Sequence, residues 1–127
     1  MSCFWSSILK NLDIDDFRKL GLKHKPKCKE FIMLLKNNII QIKNVKWNNE
    51  TLTQQFVDDA MQYIKNFDVK QINKGYQCSS CDPVLILISE LFTSNVSHSF
   101  NNGIIINYVN ANATKTIYLS DNGKHIS

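Results

Sequence analysis

The chain has 127 residues, of which 43% are hydrophobic and 20% charged, with only 2 prolines and 4 glycines. That composition excludes a disordered chain and predicts one domain, residues 1–127, with a buried core. The net charge of +4 rests on lysine, since Arg18 is the only arginine. Bidentate base recognition uses arginine, so sequence-specific nucleic-acid binding is not expected.

The longest apolar stretch, Pro83 to Ile88, is too short to span a bilayer. No basic start followed by a long apolar run marks a signal peptide. The expectation is an intracellular protein with no membrane partner. Cys3, Cys28, Cys78 and Cys81 are therefore expected as free thiols. The sequons at Asn49, Asn95 and Asn112 are read as chance matches in an Asn-rich chain. The Asn, Lys and Ile bias looks like the product of an AT-rich genome.

In chain order, Ser2 can cap a first helix from about Cys3 to Leu12, with Phe4, Ile8, Leu9 and Leu12 on one face. Asp13 or Asp15 can cap a short second helix through Phe17 and Leu20, stopped at Gly21. Pro26 suits the first turn of a third helix whose apolar face is Phe31, Leu34 and Leu35, ending at Asn37-Asn38. Trp47 to Thr51 reads as a junction. Asn49 or Thr51 then caps a longer helix to about Phe67, with Leu52, Phe56, Ala60, Tyr63 and Ile64 inward and Asp58, Asp59 and Lys65 outward.

Asp82-Pro83 predicts a cap followed by a first helical residue. The helix behind it, Val84 to Phe92, is apolar almost all round and is expected at the centre of the fold. From Asn95 the period changes to two. Val96, His98 and Phe100 share one face, Asn101-Asn102-Gly103 is a hairpin turn, and Ile104, Ile106 and Tyr108 follow with Ile105 opposite. Thr116 to Leu119 reads as a further strand and Lys124 to Ser127 as a last short one. Helices first and strands last predict an α+β fold with N-terminal helices packed on a C-terminal antiparallel sheet.

Two side chains at opposite ends of the chain suit nucleophilic catalysis. Cys3 stands at a helix N-terminus, where amide N–H groups and the helix dipole favour a thiolate. His125 follows Gly123 beside the last strand and suits a general base. His24, in the polar Lys23-His24-Lys25-Pro26-Lys27 run, reads as solvated, and the run itself as a solvated loop. His98 reads as a satisfied, half-buried strand histidine. Cys78-Ser79-Ser80-Cys81 is a single C-x-x-C; structural thiols, a redox pair, or zinc completed by Cys28 and His98 are the alternatives. No Gly-rich phosphate loop and no paired-carboxylate motif is present, and no cofactor or metal is expected.

The order of these elements resembles the ovarian-tumour (OTU) family of papain-like cysteine proteases, which cleave ubiquitin or ubiquitin-like conjugates. Cys3-Phe4-Trp5-Ser6-Ser7-Ile8 is similar to the second half of the family's nucleophile motif. Asp82 to Phe92 looks like the apolar helix before the sheet, Val96 to Tyr108 like its hairpin, and Thr116 to Leu119 leading to Gly123-Lys124-His125-Ile126-Ser127 like its final segment.

The resemblance implies Cys3 as nucleophile, His125 as base and a ubiquitin-like partner. With the residue bias, it implies a protein of a large DNA virus, acting in the host cytoplasm or carried in the virion. The departures are the absence of Asp-Gly-Asn before Cys3, which in the family helps form the oxyanion hole, Ile126 for the aromatic after the histidine, and Ser127 for the usual Asn or Asp. Asp121 or Asn122 could orient the ring instead. The same resemblance implies, as the alternative, a catalytically inactive module that kept the fold and binds a protein.

Overall fold

The computed structural model describes residues 3–68 and 81–121, apart from the side chains at positions 3, 4, 81, 82 and 121. The chain forms helices α1 (Cys3–Lys10), α2 (Ile14–Arg18) and α3 (Cys28–Asn37). A hairpin of β1 (Val45–Trp47) and β2 (Glu50–Thr51) follows, then α4 (Gln54–Asn66) and α5 (Cys81–Leu91), and finally strands β3 (Ser94–Phe100), β4 (Ile105–Asn110) and β5 (Lys115–Asp121). The α+β class holds. The predicted strand at 124–127 lies outside the described residues.

The apolar run of α5 sets the centre. Val84, Leu85, Ile86, Leu87 and Ile88 are all buried, as a helix apolar around its whole circumference must be. This helix meets β1, β3 and β4 of the sheet and also packs on α4. An aromatic cluster closes the helical layer: Phe17, Phe31 and Phe92 meet at centroid distances of 5.6 to 6.2 Å, and Trp5 stands edge-on to Phe31 and Phe67.

The sheet order is β2-β1-β4-β3-β5. The expectation of an antiparallel sheet is corrected here: β3 pairs antiparallel with β4 but parallel with β5, Ser94 opposite Lys115 and Phe100 opposite Asp121. After β4 the chain steps past the first residue of β3 and runs up its other edge. The crossing passes the junction of α5 and β3, where Thr93 has a φ of 51°, in the left-handed region. A β-branched residue is strained there by about 1–2 kcal/mol. The Thr93 carbonyl then accepts the Thr114 amide at 2.9 Å and ties the crossing down.

Local chemistry explains the other departures. Asn48 and Asn49 both take positive φ, 48° and 71°, the turn that joins two strands through two residues. The segment read as a junction is therefore a hairpin, and Asn48 extends it onto β4 through two 2.8 Å bonds with Asn107. Neither Asn49 nor Thr51 caps α4. Thr53 does, its hydroxyl oxygen accepting the Phe56 amide at 3.1 Å. This register turns Val57, Ala60 and Ile64 inward and leaves Phe56 41% exposed, contrary to its expected inward place. Pro26 precedes the N-cap, Lys27, rather than sitting in the first turn of α3. Pro83 lies within the first turn of α5, which begins at Cys81 and not after Asp82. The first helix ends at Lys10, short of Leu12, which is nonetheless buried.

Along β3, Val96 and His98 face the helices and Asn95 and Ser97 face away; in β4, Tyr108 and Asn110 are inward and Asn107 outward. The main sheet–helix packings among the described residues are of α5 on β1, β3 and β4 and of α1 on β5. No helix of the described residues is long and apolar enough to cross a membrane.

Candidate functional site

Cys3 is the first residue of α1. Its side chain, His125 and Asn122 lie outside the described residues, as does the side chain of Asp121, the last residue of β5. The frame that carries them is described. Trp5, Ile8 and Leu12 fix α1 by burial. A polar lash then ties its C-terminal end to β5, the strand that leads toward His125.

In that lash, Asn11 Nδ2 donates to the Ser7 carbonyl at 2.8 Å and, more weakly, to the Tyr118 carbonyl at 3.4 Å. Lys115 Nζ, on β5, donates to the Asn11 carbonyl at 3.0 Å and to Asp16 Oδ2 at 2.6 Å. That carboxylate also accepts the Asp13 amide at 2.7 Å, closing the first turn of α2. The Lys115–Asp16 pair is mostly sheltered, at 27% and 12% side-chain exposure. Its charges also sit favourably on the helix dipoles: an ammonium at the C-terminal end of α1 and a carboxylate in the first turn of α2.

The remaining candidates are placed as follows. His98 is 1% exposed, more deeply buried than expected. Its strand neighbours are Ile106 and Leu119, and its ring stacks on Phe100 at 4.3 Å. His24 is exposed, with Nε2 3.8 Å from Glu30. Cys28 is a free, half-buried thiol at the start of α3, its Sγ 4.0 Å from Ser6 Oγ. Cys78 and the Cys81 side chain lie outside the described residues, and no group of three or more potential metal ligands exists among the described ones.

One feature escaped the sequence reading. On the sheet face away from the helices, Asn48, Asn95, Ser97, Asn107, Thr116 and Tyr118 line a cleft of about 330 Å³. Tyr118 is 68% exposed. The signal was present in the polar alternate positions of β3, β4 and β5, but it acquires meaning only once the strand order is known. Compared with models of protein families, with curated proteins and with solved structures, the chain matches none.

Proposed function

We propose that this chain is an OTU-like cysteine hydrolase acting on the isopeptide bond of a ubiquitin or ubiquitin-like conjugate. The observation that carries the reading is the lash between α1 and β5: the helix that Cys3 begins is bound to the strand that precedes His125. In this reading the Cys3 thiolate, favoured by the helix N-terminus, adds to the isopeptide carbonyl carbon. The carbonyl electron pair moves onto oxygen. The proton lost by the Cys3 thiol is held on His125; as the oxyanion pair returns to re-form the carbonyl and the C–N bond breaks, the imidazolium donates that proton to the departing lysine amine and a thioester remains. His125 then takes a proton from water, hydroxide adds to the thioester carbonyl, and the cysteine sulfur leaves. Asp121 or Asn122 orients the imidazole.

The second reading, a non-catalytic protein-binding module of the same fold, is favoured by a different observation, the open polar face of the sheet around Tyr118. One experiment separates the two. Incubation with ubiquitin carrying a C-terminal electrophile is expected to give a covalent adduct in the wild type and in Cys28→Ala. The adduct is expected to be absent in Cys3→Ala and slowed about a hundredfold or more in His125→Ala. A folded wild type that forms no adduct, or forms it on another cysteine, overturns the hydrolase reading.

A further inference from the structure

The positive charge of this protein is concentrated in one place. Residues 18–30 hold six cations, Arg18, Lys19, Lys23, Lys25, Lys27 and Lys29, against a single anion, Glu30. Their net charge of +5 exceeds the +4 of the whole chain, so the remainder carries a net −1. This segment runs from the end of α2 across a loop into the first turn of α3.

The loop is anchored. Pro26 is buried, Leu22 and Cys28 are half-buried, and the Leu22 amide donates to the Phe17 carbonyl at 3.1 Å. The Lys27 amide donates to Glu30 Oε1 at 3.2 Å. Between these anchors Lys23, Lys25, Lys27 and Lys29 are all exposed. Among the described residues none of the four enters an ion pair; Asp15 pairs with Arg18 at 3.0 Å, and Glu30 lies 3.8 Å from His24 Nε2. Four ammonium groups on an anchored backbone repel one another, and the one carboxylate of the segment, Glu30, is turned back onto the Lys27 amide at the N-terminus of α3. The row also adjoins α1, through the Cys28–Ser6 contact.

We propose that this lysine row is a docking surface for an acidic segment, rich in Asp and Glu, of a protein partner. Two observations favour an acidic polypeptide over a nucleic acid. The row is short, Lys23 to Lys29, and holds no Phe, Tyr or Trp on which a base could stack, the small imidazole of His24 being its one ring. Its recognition groups are lysines, point charges without the bidentate fork that reads base edges, and the one nearby arginine is paired with Asp15. The docking stands whether or not Cys3 is a nucleophile, and it extends the functional reading by naming the chemistry of a partner.

The test uses the full chain, a fluorescent oligoglutamate peptide and a fluorescent oligothymidylate of equal charge, followed by anisotropy at low and at moderate salt. The wild type is expected to bind the peptide at low salt and to release it as screening rises. Lys23→Gln/Lys25→Gln/Lys27→Gln is expected to weaken binding about tenfold or more. Lys43→Gln/Lys46→Gln/Lys65→Gln removes equal charge from other exposed positions and is expected to bind nearly as the wild type does. Circular dichroism checks that both variants are folded. Absence of peptide binding, equal loss in the two triple variants, or tighter binding of the oligonucleotide than of the peptide would each overturn the proposal.

Discussion

Phe31→Ala is expected to lower the free energy of unfolding by about 3–5 kcal/mol. Phe31 is fully buried on α3, and its ring meets Trp5 of α1 at 6.2 Å, Phe17 of α2 at 5.9 Å and Phe92, just past α5, at 6.2 Å. The first two contacts are edge-on, the favourable geometry for aromatic pairs. Truncation removes the ring's transfer energy and leaves a cavity that four separate elements would have to close. A domain of this size has roughly 5–15 kcal/mol in total, so the loss is a large share of it. Phe31→Leu retains much of the volume and is expected to lose about half as much. Urea denaturation of both variants measures this. A loss below about 1 kcal/mol for Phe31→Ala would mean that the helices do not converge on this ring.

Asn110→Ala is expected to cost about 2–3 kcal/mol, although it removes only an amide group. Asn110 is buried on β4. Its Nδ2 donates to the Ser89 carbonyl of α5 at 2.7 Å, and its Oδ1 accepts the Asn112 amide at 2.8 Å. Close by, Ser89 Oγ donates to the Ser94 carbonyl at 2.6 Å and Ser94 Oγ to the Phe92 carbonyl at 3.0 Å. These bonds hold the place where α5 gives way to β3 and the chain crosses toward β5. Alanine leaves the Ser89 carbonyl buried without this donor, a larger penalty than the net worth of an ordinary hydrogen bond. Asn110→Asp is expected to be worse than alanine at neutral pH, because a buried carboxylate facing that carbonyl is both desolvated and repelled. Urea denaturation gives the magnitudes. Faster amide exchange along β3 and β5 in both variants would locate the loss, and equal stability of Asn110→Ala and wild type would contradict it.

The sequence made some parts of this architecture plain and concealed others for physical reasons. The central position of α5 was legible because only burial on every side tolerates a helix running Val84-Leu85-Ile86-Leu87-Ile88. The alternation of Val96 and His98 against Asn95 and Ser97 was equally legible, since it records which face meets the core. Alternation does not record direction. A strand pairing parallel or antiparallel shows the same period, so the parallel partnership of β5 with β3 was hidden. The chain enters β3 through a left-handed backbone at Thr93, which no pattern of side chains reveals. The β1–β2 hairpin was missed because Asn48-Asn49 lacks the glycine that usually marks such a turn, though asparagine tolerates the same left-handed conformation. Of the candidate site, the helix that carries Cys3, α1 (Cys3–Lys10), was legible from its apolar spacing. The lash through Lys115, Asn11 and Asp16 joins residues far apart in sequence, and spacing could not have disclosed it.

The central claim is that α1 and β5 bring Cys3 and His125 into one reactive site. The most direct test is the rate of iodoacetamide alkylation at each cysteine, resolved by mass spectrometry at neutral pH, in the wild type and in His125→Ala. Cys28 and the remaining thiols serve as internal standards for folding and exposure. The account predicts that Cys3 is alkylated fastest and that His125→Ala slows Cys3 alone. A Cys3 that reacts no faster than Cys28, or at a rate indifferent to the loss of His125, would contradict it.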